Sequence, residues 1–236
     1  MILLSVPGFR SLKWLLVMLT AVVSYQASSS IVITGTRVLY PAGERSVSVK
    51  LNNNNKQPVL IQSWVDDGDS SKKPNDSTVP FIVTPPINRV DPGKGQTLRV
   101  SYTGTTLPSD RESVFWLNVQ EVPTKHDAAP DENYLQLAFR TRIKLFYRPA
   151  NLPGSSFKAP DGLKWSTSSG RLTAINDSVW NVSISSVFAG GKKIEGKMIP
   201  PRGQVTFPLQ VSQGTQIKFD VVNDYGAVMQ KTATVR

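Results

Sequence analysis

From Tyr134 to Pro149 the chain reads YLQLAFRTRIKLFYRP, and apolar and polar positions alternate through most of it. Leu135, Leu137, Phe139, Thr141, Ile143, Leu145 and Tyr147 fall on one side, and Gln136, Ala138, Arg140, Arg142, Lys144 and Arg148 on the other. A period of two predicts a β-strand. At about 3.3 Å per residue it would run on the order of 50 Å, where ordinary strands reach about 17–20 Å. Part of it is expected to project past the body that owns it.

The rest of the pattern is also that of strands. IVITGTRVLYP, RSVSVKLNN, PVLIQSWVDD, PFIVTPPINRV, QTLRVSYTG and SVFWLNVQEV precede the long stretch, separated by clusters of Asn, Gly, Pro and Asp. That spacing predicts a Greek-key sandwich. FYRPANLPGSS then supplies Pro and Gly at a hinge, and LKWST, RLTAI, VWNVSISSVFA, QVTFPLQ, TQIKFDVVND and AVMQKTATVR predict a second, smaller sandwich. No helical apolar period is sustained. The expectation is an all-β chain of two domains, residues 28–149 and 150–236.

The N-terminus changes the picture of where such a chain works. Arg10 and Lys13 precede the apolar run WLLVMLTAVV and a small polar stretch, so residues 1–27 read as a secretory signal peptide. The run is about half the ~20 residues that cross a bilayer, so no membrane insertion is expected. The formal charge of +10 falls to +8 once Arg10 and Lys13 are removed with that peptide. A basic exported protein meets acidic polymers, membranes or protein carboxylates, and net charge does not choose among them. There is no cysteine to make a disulfide, and two cores of roughly 100 residues each can fold without one.

Catalytic chemistry finds few residues. The single histidine, His126, sits in the polar run PTKHDAAPDEN and is expected to be a solvated loop residue. One histidine and no cysteine exclude most zinc sites and any Cys–His nucleophile, and no G-x-S-x-G turn occurs. Asp66, Asp67 and Asp69 of VDDGD are expected in an exposed turn, and DPGKGQ in a hairpin turn rather than a phosphate loop. No enzyme activity, metal or cofactor is expected.

GTRVLYPAGERSVSVKLNNNN, PFIVTPPINRVDPGKGQTLRV, LPSDRESVFWLNVQEVP, YLQLAFRTRIKLFYRP and VVNDYGA, in that order, resemble the periplasmic pilus-assembly chaperones of the chaperone–usher pathway. The resemblance covers most of residues 35–149 and one spot in the second half. It implies two immunoglobulin-like β-sandwiches set as an L, in the periplasm. The short segment between Val122 and Tyr134 and the lack of cysteine resemble the subgroup with a short loop before the last strand. NDSVWNVSISS stands where the family usually has an Asn-Pro segment.

The family's function follows as an expectation: binding, folding and capping fimbrial subunits by donor-strand complementation, and delivering them to an outer-membrane usher. Leu135, Leu137 and Phe139 match the hydrophobic residues that such chaperones lend to a subunit lacking its final strand, a form of β-augmentation. Arg37 and Lys144 match the pair that anchors the subunit's C-terminal carboxylate. Glu112, Arg148 and Asp224 match an interdomain ion-pair network. Fimbrial subunits and the usher are the implied partners, with no nucleic acid, and the donor strand also offers a route to self-association of the free protein. The alternative is a structural pilus subunit or another exported β-sandwich binding protein. A subunit would be expected to show one incomplete domain, an N-terminal donor arm and usually a cysteine pair.

Overall fold

The structure, a computed structural model, describes residues 30–122, 137–168 and 170–236. The predicted signal peptide, the segment holding His126, and Leu135 lie outside the described residues.

The first half builds β1 (Ile31–Ile33), β2 (Arg37–Pro41), β3 (Ser46–Asn53), β4 (Val59–Asp66), β5 (Phe81–Thr84), β6 (Ile87–Val90), β7 (Gly95–Tyr102), β8 (Ser113–Val122) and β9 (Arg140–Arg148). They form two sheets, ordered β1-β3-β7-β5 and β2-β9-β8-β4-β6. All pairs are antiparallel except β2–β9, which is parallel. Between the sheets Tyr40, Leu51, Ile61, Leu98, Leu117 and Leu145 are fully buried, as alternation along half-buried strands requires.

The second half builds β10 (Lys164–Ser168), β11 (Arg171–Asn176), β12 (Val182–Ala189), β13 (Lys192–Glu195), β14 (Met198–Ile199), β15 (Gly203–Phe207), β16 (Gln216–Val222) and β17 (Val228–Thr234). The order is β10-β11-β15 in one sheet and β13-β12-β16-β17 in the other, with β14 beside β12. Trp165, Leu172, Ile199, Phe207, Ile217 and Phe219 fill a separate core. The chain is all-β with two sandwiches, and the only helical turns among the described residues are the 3-10 segments Pro74–Asp76 and Ala159–Gly162.

Two runs that read as single strands are each divided between sheets. IVITGTRVLYP breaks at Gly35, whose φ of +98° lies in the left-handed region that glycine enters without a Cβ clash. β1 then pairs with β3, and β2 with β9. PFIVTPPINRV breaks at Pro85–Pro86, which have no N–H to give a ladder, so β5 pairs with β7 and β6 with β4. The expected hairpin at DPGKGQ is also corrected. Asp91–Lys94 carries the chain from one sheet to the other, because β6 and β7 pair with different strands. Buried Asn53 holds that crossing: its carbonyl accepts from Gly93 N, its N–H donates to Lys94 O, and Nδ2 donates to Val90 O.

The long alternating stretch divides too. Ile143, Leu145 and Tyr147 point into the first core, whereas the ladder begins only at Arg140. β8 ends at Val122, so the last backbone bond on that side is Glu121 N to Phe139 O, 2.8 Å. Among the described residues the strand is therefore nine residues long, shorter than the sequence pattern suggests, with Leu137 and Phe139 continuing its apolar row outside the core.

Candidate functional site

The parallel pairing of β2 with β9 sets the site. Its register puts Arg37 opposite Lys144, so the two cations stand side by side on one face of the sheet. Both reach toward the second sandwich: Arg37 Nη1 donates to Val222 O at 2.9 Å, and Lys144 Nζ to Ser183 Oγ at 3.4 Å. Arg37 Nε is buried without a partner, and the Arg37 guanidinium lies 5.8 Å from the ring of Phe146, itself buried on this face. Burial lowers the pKa of Lys144, and the neighbouring Arg37 charge lowers it further. Burial also lowers that of Arg37, against the pull of Asp224 and Glu112. Among the described residues the pair is thus half-buried positive charge without a carboxylate in contact, an arrangement suited to an anion.

Along the same strand the apolar row leaves the core. Leu137 and Phe139 are each 60% exposed, and among the described residues no strand pairs them on the β2 side, where the ladder starts only at Lys144. An open edge bearing large apolar side chains is a template for another strand.

A second charge cluster lies where the strand meets the other sandwich. Arg148 Nε and Nη2 donate to Glu112 Oε1 at 3.0 and 2.8 Å, and Nη1 donates to Asp224 Oδ2 at 2.9 Å. Ser156 Oγ adds a bond to Asp224, and Asn181 donates both its backbone N–H and Nδ2 to Glu112 Oε2. The guanidinium sits 4.8 Å from the ring of Trp180. Glu112, Arg148 and Asp224, which the resemblance implied as an interdomain ion-pair network, are one connected group spanning both sandwiches. The turn carrying Asp224 also packs closely on the first sandwich: a Cβ on Gly226 would stand 2.6 Å from Thr36 Oγ1.

Residues 30–153 match the family described as "Pili and flagellar-assembly chaperone, PapD N-terminal domain", and residues 158–233 match "Pili assembly chaperone PapD, C-terminal domain". The chain belongs to this family of pilus-assembly chaperones. It is 44% identical over 225 residues to the probable fimbrial chaperone YadV of Escherichia coli K12, covering 89% of this chain and 92% of that one. It is 41% identical over 220 residues to the chaperone protein FimB/FhaD of Bordetella pertussis Tohama I, covering 89% of each. Among solved structures, the YadV chaperone superposes with a TM-score of 0.74 at 42% identity, over 87% of this chain and all of that one. The SafB chaperone of Salmonella enterica, solved in complex with the SafA pilin, superposes with a TM-score of 0.77 at 29% identity, over 89% and 98% of the chains.

For this chaperone a further expectation fails. Asp66 was expected in an exposed turn with Asp67 and Asp69, yet it closes β4 and is fully buried. It accepts from Arg142 Nη2 and Asn118 Nδ2, both at 2.7 Å, which reach it from β9 and β8, and from the Gly68 backbone N–H at 2.8 Å. Asp67 and Asp69 do lie exposed, and hydrogen bonds from Lys72 and from Ser71 lower their respective pKa values. Sequence reading also missed Ser156, Asn181, Ser183 and Trp180. They sit on the second sandwich or its leading linker, and no local pattern ties them to residues some 30–70 positions away. Among the described residues no helix is long and apolar enough to cross a membrane.

Proposed function

We propose that this protein is a periplasmic chaperone that binds, folds and caps fimbrial subunits by lending them the apolar row that leads into β9, and hands them to an outer-membrane usher. Residues 1–27 are then the export signal, 28–149 the domain that carries the subunit, and 150–236 the second domain. It acts by binding rather than by catalysis. One observation carries this reading: the row Leu137 and Phe139 runs out of the core onto an open strand edge, and farther along the same strand Lys144 stands beside Arg37 of β2 with no carboxylate in contact among the described residues. Backbone hydrogen bonds along that edge give affinity, and apolar side chains seated in a subunit groove give register. A subunit's terminal carboxylate takes a bidentate guanidinium and an ammonium beside it, which fixes where the peptide ends. Leu135 belongs to the same row by parity and is proposed as a third donor residue. Glu112, Arg148 and Asp224 hold the two domains at the angle the cleft requires.

The test is the double variant Leu137→Glu/Phe139→Glu, co-expressed with a fimbrial subunit. Glutamates there are solvated in the free protein but buried and unpaired in a complex, which costs several kcal/mol or forces them neutral. Subunit co-purification is expected to collapse while the free protein melts near the wild-type temperature. A large loss of stability in the free variant would instead assign both residues to the chaperone's own core.

A further inference from the structure

Pairing registers across four strands place Asp66, Trp116, Lys144 and Arg37 in one row: Asp66 opposite Trp116, Trp116 opposite Lys144, and Lys144 opposite Arg37. Residues directly opposite share a face and touch. Lys144 Nζ lies 5.5 Å from the centre of the Trp116 ring, and the Arg142 guanidinium 5.1 Å from it. These distances are within cation–π reach, and tryptophan is the strongest such platform. Each charge that could answer Lys144 is otherwise engaged. Asp66, on the far side of the ring, accepts from Arg142 and Asn118; Glu112 and Asp224 accept from Arg148; and Arg37 repels the ammonium. Across the cleft, among the described residues, Lys144 meets the Ser183 hydroxyl at 3.4 Å.

The ring is itself held in place. Gly68 lies against it with φ +108°, and a Cβ there would stand 3.2 Å from Trp116 Nε1. Gly68 N donates to Asp66 Oδ1 at 2.8 Å, which ties this turn to the buried Asp66–Arg142–Asn118 group. That group fastens β4, β8 and β9 together beside the ring.

We infer that Trp116 is a positioning residue for the anchor: its ring face holds the Lys144 ammonium beside Arg37 and aims it into the cleft, in place of the carboxylate that a buried lysine ordinarily requires. A carboxylate at that position would draw the ammonium into a permanent ion pair and compete with the incoming peptide end. An aromatic face supplies partial compensation without being displaced, so the ammonium stays available to a terminal carboxylate. The inference rests on the reading of Arg37 and Lys144 as a carboxylate anchor, and its test separates the two.

Trp116→Phe and Trp116→Leu are compared with wild type in two measurements on the full chaperone. The first is the titration of Lys144 followed by NMR of carbon-13 lysine. With the ring weakened and then removed, its pKa is expected to fall stepwise from wild type to Phe to Leu. The second uses an acetylated peptide of alternating valine and threonine with a free C-terminal carboxylate, and its C-terminal amide as control. Trp116→Leu is expected to bind the carboxylate peptide about two- to fivefold more weakly, as loss of one exposed-type cation–π contact implies. The amide should bind all three proteins alike. Unchanged titration and an unchanged carboxylate-to-amide ratio in both variants would overturn the role of Trp116. A wild type that does not distinguish carboxylate from amide would overturn the anchor reading, and the Lys144 titration alone would then decide whether Trp116 holds the ammonium. Trp116→Phe keeps the shape of the site, so the stepwise titration is readable even if the leucine variant folds poorly.

Discussion

Lys144 and Arg148 stand on the same face of β9, four residues apart, and their surroundings are opposite. Arg148 is enclosed by Glu112, Asp224 and the ring of Trp180. Burial alone would lower its pKa, but the hydrogen bonds to Asp224 and Glu112 outweigh that and raise it. Lys144 is buried to a similar degree, faces Arg37 instead of an acid, and has its pKa lowered. The same strand therefore carries one cation whose charge is answered within the molecule and one whose charge is left open. The first kind of site holds two sandwiches together; the second keeps a binding potential for something from outside, at a cost in stability.

The sharpest way to break this comparison is to remove the answered charge. Arg148→Ala leaves Glu112, only 3% exposed, with donors from Asn181 alone on its carboxylate. Stranding one partner of a buried pair costs about 3–5 kcal/mol. Urea denaturation of the described two-domain protein should show a loss of that size. A loss below about 1 kcal/mol would make the cluster an ordinary surface pair and end the contrast with Lys144.

Removing the open charge should act in the other direction and by less. Lys144→Met keeps length and apolar stem while deleting a half-buried ammonium that repels Arg37. The free protein should be unchanged or more stable by on the order of 1 kcal/mol, since an uncompensated charge is costly to bury. Capture of a fimbrial subunit should nonetheless fall steeply, because truncating one member of an interfacial charge set typically costs about 2–5 kcal/mol in a complex. Equal losses of stability and capture would show that Lys144 is a structural residue, and the two sites would then be of one kind.

What the sequence revealed follows from how local each signal is. The period-two pattern of Ile143, Leu145 and Tyr147 survives in the core because alternation is a property of one strand. The divisions at Gly35 and Pro85–Pro86 were not visible as sheet changes, since which neighbour each half joins is decided by strands far along the chain. β13, reading KKIE, has too little apolar content to announce a strand and exists by pairing with β12. Asp66 was misjudged for the same reason. Its acidic neighbours signal a turn, while the partners that bury it, Arg142 and Asn118, arrive from β9 and β8. Arg37 and Lys144 could be paired only by resemblance, because a parallel pairing between the start and end of a domain leaves no spacing rule in the sequence.

The finest distinction between the two sites is in their response to pH. Lys144 has an ordinary pKa of 10.5 in the unfolded chain and a lower one in the folded protein, because burial and then Arg37 disfavour its charge. Below the folded value the lysine is charged in both states, and its penalty on the folded protein is present in full. Between the two values the unfolded chain binds more protons than the folded one, so stability rises with pH across that window. Above 10.5 the lysine is neutral in both states and the penalty is gone. Wild type and Lys144→Met should therefore differ by a constant amount at neutral pH, with the variant no less stable. The gap should close as pH rises toward 10.5. Other lysines and tyrosines titrate in the same range, but they are common to both proteins and cancel in the difference. Chemical denaturation at a series of alkaline pH values reads this directly. A gap that stays constant up to and beyond 10.5 would mean that the ammonium carries no folding penalty, and that Lys144 is as well compensated as Arg148.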